Sequence, residues 1–250
     1  MRYFLEVSYK GTAYAGFQVQ KNANTIQAEI EKVLSIVLKH PVELTGSSRT
    51  DTGVHALQNF FHFDIAQIVD AAIVYNLNAI LPKDIVVRSI FPVPNEAHCR
   101  FDALYRQYRY CLTAKKDPFS TDTAWYYPYN VDIELLNKAA ALLFNFTDFT
   151  SFSKLNSQAF TNQCTITKSE WILKGHSLEY YVQSNRFLRG MVRGLVGTMI
   201  LVGRGKTSLE TFEQILIAKD CSKANFATPA QGLFLVEVAY PLSILERKIS

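Results

Sequence analysis

The run Gly46-Ser47-Ser48-Arg49-Thr50-Asp51-Thr52-Gly53-Val54-His55-Ala56 is the most chemically loaded stretch of the chain. Small residues and two glycines bracket one arginine and one aspartate, so the backbone can turn tightly and present both side chains. A carboxylate displayed in this way can serve as a nucleophile or as a general base. The plainer alternative is a turn aspartate that bonds its own backbone.

Two sharper matches fail on their neighbours. Asp51-Thr52-Gly53 repeats the triplet of aspartic proteases, which need two such carboxylates sharing a proton. Asp122-Thr123-Ala124 lacks the glycine, and Arg49 near Asp51 favours full ionisation, the opposite of a shared proton. Gly205-Lys206-Thr207 imitates the end of a phosphate-binding loop, but Ile200 stands where the earlier glycine is needed, and the segment leaves a helix instead of a strand. The four cysteines, at 99, 111, 164 and 221, form no C-x-x-C pair and have no histidine at metal-ligand spacing. We therefore expect no metal site and no disulfide framework, in a reducing, cytoplasmic setting.

Charge is distributed more tellingly than its total of +4. Arg100, Arg106, Arg109, Lys115 and Lys116 crowd together with only Asp102 against them up to that point. Arg186, Arg189, Arg193, Arg204 and Lys206 make a second basic group with no acid between them. Two such tracts suit a phosphate-binding surface, or equally well solvated faces. Thirteen tyrosines and 17 phenylalanines can fill strands and core, or stack on bases beside arginine. The Met1–Tyr9 segment lacks the apolar core of a signal peptide, and the greasy run Gly194–Val202 is too short for a bilayer, so no membrane attachment is expected.

The elements that must hold these residues follow from periodicity. Tyr3, Leu5, Val7 and Tyr9 alternate with Arg2, Glu6 and Ser8 as in a half-buried strand. After a Gly/aromatic loop over 11–17, Ile26, Ile30, Val33 and Val37 form one stripe of a helix that Pro41 ends. Strands are expected around 42–44, through Phe61 and Phe63, and over 85–90 and 104–112, with a helix over 67–80 that ends before Pro82. The second half predicts a short strand at 124–127, a helix capped by Asp132 and running through Phe144, and strands over 165–173 and 178–183 about a Lys174-Gly175 turn. Helices over 187–202 and 208–218 and a strand over 233–240 complete it. On the first of these helices, Arg186, Arg189 and Arg193 fall at i, i+3 and i+7, and Leu188, Val192, Leu195 and Met199 form the buried stripe. Gly190, Gly194 and Gly197 would let another backbone approach it closely. The joins between strands are often too short for parallel crossovers, which argues for an α+β fold with largely antiparallel sheet.

Arg49-Thr50-Asp51-Thr52-Gly53-Val54-His55-Ala56 resembles the active-site motif of the TruA family of tRNA pseudouridine synthases. Further matches follow in the family's order: Tyr9 to Gln20, Thr25-Ile26-Gln27, Phe101-Asp102-Ala103, Arg106-Gln107-Tyr108-Arg109-Tyr110, Asp148 to Phe152, Phe187 to Arg193, and Gly232 to Leu235. Ser48 and Thr52 depart from the commoner Gly and Ala of the motif, which touches the shape of the loop and not the carboxylate. The resemblance implies isomerisation of uridine to pseudouridine at positions 38 to 40 of the tRNA anticodon stem-loop, with no cofactor and no metal. It makes Asp51 the catalytic carboxylate, Tyr108 the residue that stacks on the target base, Arg49 the prop for the space a flipped nucleotide leaves, and Arg193 the partner that keeps Asp51 ionised. It also implies two similar α+β domains, 1–104 and 105–250, whose sheets meet at a central basic cleft, in a homodimer that grips tRNA. A catalytically silent RNA binder on the same scaffold would not need Asp51, Tyr108 and Arg193 together.

Overall fold

Aromatic and aliphatic residues at Tyr3, Leu5, Val7 and Tyr9 make Arg2–Tyr9 a strand (β1), but burial runs through the even positions too. In the computed structural model, which describes residues 1–154 and 160–245, β1 lies between two antiparallel neighbours. The expected half-exposed face is covered by Phe60, Phe91 and Tyr240, which pack around Phe4. Glu6 and Ser8 tolerate burial because each is hydrogen-bonded: Gln58 and Ser89 donate to the Glu6 carboxylate, and Arg88 donates to the Ser8 hydroxyl.

The chain is α+β and falls into two compact units, 1–104 with the segment from Phe234 onward, and 105–233. In the first, β1 is followed by α1 (Ile26–Leu38), β2 (Thr45–Gly46), β3 (His55–Asp64), α2 (Ile73–Ile80) and β4 (Ile85–Val93). In the second come β5 (Tyr105–Thr113), β6 (Trp125–Tyr126), α3 (Ile133–Leu142), β7 (Ile166–Lys174), β8 (Ser177–Ser184), α4 (Met191–Gly203) and α5 (Leu209–Ala218). The chain closes with β9 (Leu233–Ala239) and α6 (Leu242–Leu245). Unit 1 orders its strands β4-β1-β3-β9, with β2 on β3; unit 2 orders them β5-β8-β7, with β6 on β5. The sequence reading gave everything after Leu104 to the second half. The segment from Phe234 returns instead to the first, where β9 runs parallel to β3 and pairs Phe234 with His55 and Leu235 with Ala56.

Other expectations also shift, each for a local reason. Residues 42–44 are not a strand: Ser35 and Glu31 of α1 accept the Val42 and Leu44 N–H groups, and Gln27 donates to the Leu44 carbonyl, so α1 side chains replace a strand partner. The 67–80 helix begins only at Ile73, because Asp70 first closes a turn, accepting the Ala72 N–H on its side chain and the Ile73 N–H on its carbonyl. Asp132 caps α3 as expected, but the α-helix ends at Leu142 and a 3₁₀ turn carries Leu143–Asn145. The 187–202 helix starts at Met191, not Phe187. Gly190, at φ 75°, breaks the helical path before it, leaving Arg186 and Arg189 on the approach loop and off the helix. The i, i+3, i+7 reading of those arginines is therefore wrong, while Leu188, Val192, Leu195 and Met199 are all buried as expected.

Candidate active site

Asp51 sits on a four-residue turn just ahead of β3. Its carbonyl accepts the Val54 N–H at 3.1 Å, and Gly53 takes φ 78°, a conformation that a side chain disfavours. Arg49 projects into solvent, Asp51 is half-exposed, and the residues between and after them, Thr50 and Val54, are buried. Within unit 1 the Asp51 carboxylate has no hydrogen-bond or ion-pair partner among the described residues, so it does not cap its own turn. That disposes of the plainer alternative of a self-bonded turn aspartate.

Buried polar groups hold the backbone on either side. The Tyr9 hydroxyl meets Thr50 Oγ1 at 2.8 Å, while Asn59 Nδ2 donates both to the Tyr9 hydroxyl (3.1 Å) and to the Ser48 carbonyl (2.8 Å). Asn59 is fully buried inside the apolar run of β3, and its position there is the signal that sequence reading passed over. His55 Nδ1 accepts the Gly11 N–H at 3.1 Å, which fixes that nitrogen as unprotonated. His55 is buried against the ring of Phe234.

The Tyr9–Gln20 stretch is the brace of this turn. Phe17 N–H donates to the Thr50 carbonyl, and Phe17 stacks on Phe61 at 4.6 Å. A Cβ on Gly11 would lie 2.0 Å from the Val54 carbonyl oxygen, and one on Gly16 would lie 3.2 Å from the Thr50 carbonyl. Two backbones thus press on the turn where only glycine fits. We expect Gly11→Ala to cost about 1–3 kcal/mol as overpacking and to lower Tm by about 2–4 °C for each kcal/mol. Activity should fall with it, because the displaced backbone carries Asp51. Gly175→Ala is the control: it has φ 61° but nothing within 4 Å, so it meets backbone strain and no clash. Equal Tm losses in a thermal melt of both variants would contradict the bracing role.

Unit 2 carries the other two residues. Tyr108 lies on β5 opposite Val182, on the same buried face as Arg106 and Tyr110. Its ring meets Phe187 edge-on at 4.9 Å, so the β5 motif and the segment leading into α4 join there. Arg193, in the first turn of α4, is half-exposed. Its Nε donates to the Thr228 carbonyl at 2.7 Å, and Thr228 Oγ1 donates back to the Arg193 carbonyl at 2.9 Å. Thr228, 1% exposed, ties its loop to the first turn of α4, a contact that the sequence reading missed. Close backbone approach to α4 is present at Gly197, where a Cβ would lie 2.3 Å from the Asn225 carbonyl oxygen; at Gly194 it would meet the Phe226 ring.

Folding also assembles a potential metal-ligand set that linear spacing hid. His62, His98 and Cys99 bring one ligand atom each within 4.8 Å of one another, and burial lowers the His62 pKa to about 4, with help from Arg2 and His98. The lone pairs are engaged, however. His62 Nδ1 accepts the Cys99 N–H at 3.3 Å and lies 3.2 Å from its sulfur, and His98 Nδ1 accepts the Arg100 N–H at 3.1 Å. Asp102 accepts the His98 N–H, so the Phe101-Asp102-Ala103 motif builds a hydrogen-bonded turn at this point. A metal would have to displace those bonds.

An α+β chain that displays one carboxylate on a braced turn, and carries two basic tracts with aromatic residues elsewhere in its sequence, has the equipment of an enzyme that acts on a polyanion. The family described as tRNA pseudouridine synthase matches this chain over residues 6–102 and 139–241. A tRNA pseudouridine synthase A of Parabacteroides distasonis is 43% identical over 242 residues, 96% of each chain. That of Porphyromonas gingivalis is 41% identical over 245 residues, 96% of this chain and 97% of its own. That of Staphylococcus saprophyticus is 37% identical over 241 residues, 95% of this chain and 90% of its own. The chain belongs to the tRNA pseudouridine synthase family and is an isomerase.

Proposed function

We propose that this protein converts uridine to pseudouridine in tRNA, at positions 38, 39 and 40 of the anticodon stem-loop, with Asp51 as the catalytic carboxylate. The N1–C1′ bond breaks, the uracil turns, and C5 bonds C1′; C5 loses its proton and N1 gains one, so atoms and electrons balance without an oxidant. Asp51 acts either as a nucleophile or as a base on the sugar. Tyr108 stacks on the target base, Arg49 props the place the flipped nucleotide left, and Arg193 keeps the carboxylate ionised. On this reading the protein works as a homodimer in the cytoplasm, where its tRNA substrate is found. The observation that carries this reading is the Asp51 turn, where two glycines and a buried Tyr9–Asn59–Thr50 network hold a carboxylate that bonds nothing else in its unit.

The test is release of tritium from C5-labelled uridine in tRNA, which the purified chain should produce and which an inactive RNA binder would not. Binding should weaken steeply with salt, log K falling by about 0.7–0.9 per phosphate contact for each tenfold rise in salt. Lys115→Glu should raise KM for tRNA more than it lowers kcat. Steady-state kinetics over a salt series check both, and affinity that stays flat from low to high salt would contradict a phosphate-binding surface.

A further inference from the structure

The ends of the two basic tracts, far apart in sequence, meet at one corner of unit 2. Tyr127 N–H donates to the Thr113 carbonyl, which sets the chain after β6 beside the Lys115-Lys116 turn. Arg204, at the C-terminus of α4, lies over the Tyr129 ring at 4.1 Å and donates to the Tyr127 hydroxyl at 3.4 Å. Tyr127 in turn meets Tyr129 and Trp125 edge-on, at 5.2 and 4.6 Å. These contacts fix Arg204 and leave Tyr129 54% exposed, an orientation that burial does not require. Lys115, Lys116 and Lys206 are exposed, and among the described residues no carboxylate pairs with them or with Arg204.

A solvated helix end would not need a guanidinium clamped between two tyrosines. An acidic protein would satisfy the cations and leave the ring idle. One ligand chemistry uses both: a nucleobase stacks on an aromatic face while its phosphates meet cations. We propose that this corner binds an unpaired nucleotide of the RNA substrate, its base stacked on Tyr129 and its phosphates held by Arg204 and Lys206. The site is separate from Asp51, Tyr108 and Arg193 in sequence, and it adds affinity for tRNA without taking part in the chemistry. The inference rests on the reading that tRNA is the substrate.

The experiment is tRNA binding by the full chain over a salt series, with Tyr129→Ala, Tyr129→Phe and Lys206→Ala, and a blunt RNA duplex as competitor. Tyr129→Ala should weaken tRNA binding by about 5- to 150-fold, the range of one base–aromatic stack, with no change of salt slope. Tyr129→Phe should bind like the wild type, because the face is kept. Lys206→Ala should lower the slope by about 0.7–0.9, one phosphate contact. Duplex affinity should not respond to Tyr129→Ala, and the kinetic loss should be carried by KM. Wild-type binding by Tyr129→Ala, or equal loss for tRNA and duplex, overturns the site, and the first of these results leaves an acidic protein as the occupant. If the wild type neither binds nor isomerises tRNA, the functional reading falls, and this inference with it.

Discussion

Asp51→Asn should abolish turnover while tRNA binding stays essentially intact. The substitution keeps the size and the turn, since the turn bond is made by the Asp51 backbone carbonyl and not by the side chain. What it removes is the negative charge, and with it the nucleophile or base. An amide can do neither, so kcat should drop by about 10⁴-fold or more. Affinity arises from Lys and Arg contacts with many phosphates, to which a carboxylate adds only repulsion, so Kd should be equal or slightly tighter. Single-turnover kinetics with excess enzyme, set beside equilibrium binding, separate the two effects. A mutant that turns over at a substantial fraction of the wild-type rate would remove Asp51 from the mechanism.

Arg193→Met should be the second most damaging change. On the proposal that Arg193 offsets the charge of Asp51, its loss leaves the carboxylate without the counter-ion that holds and aims it. Turnover near neutrality should fall by several orders of magnitude. Methionine keeps the apolar stem, and among the described residues of unit 2 only one side-chain bond, to the Thr228 carbonyl, is lost, so the thermal midpoint should move little. Arg193→Lys should restore part of the rate, since an ammonium supplies charge without the planar fork. Thr228→Val removes the hydroxyl that donates to the Arg193 carbonyl, and should shift kcat in the same direction by a smaller factor. The control is Arg189→Met, an exposed cation on the loop before α4, which should act on KM. The same mild kcat loss in the Arg193 and Arg189 variants would make Arg193 an ordinary phosphate contact.

The turn that displays Asp51 was easier to read than the elements around it. Small residues around Asp51 signalled a turn because turn chemistry is local: it depends on glycine and on short polar side chains within a few positions. The helix cap at Asp132 was legible for the same reason, and its side chain accepts helix N–H groups, as do Thr25 and Ser208 at the starts of α1 and α5. What remained hidden needed contacts from far along the chain. Glu31 and Ser35 taking the N–H groups of Leu44 and Val42 turned an expected strand into a loop strapped to α1. The second covered face of β1 depends on Tyr240, and the His62–His98–Cys99 cluster joins residues more than 30 positions apart. Gly190 shows the limit from the other side. Periodicity through Leu188 ran across it without a break, yet its positive φ starts α4 afresh and takes Arg186 and Arg189 off the helix. The close approach of Gly11 and Gly16 to the Asp51 turn gives a physical reason for glycines that pattern alone placed only in a loop.

The central claim is that this chain forms pseudouridine in tRNA through Asp51, and mapping the product on unmodified tRNA tests it most directly. Purified wild-type chain, given only tRNA and buffer, should convert uridines in the anticodon stem-loop at positions 38 to 40, read out by carbodiimide modification and primer extension. Asp51→Asn at the same concentration should leave every one of those uridines unchanged. Unmodified tRNA after incubation with the wild type, or the same pseudouridine pattern from wild type and Asp51→Asn, would contradict the account.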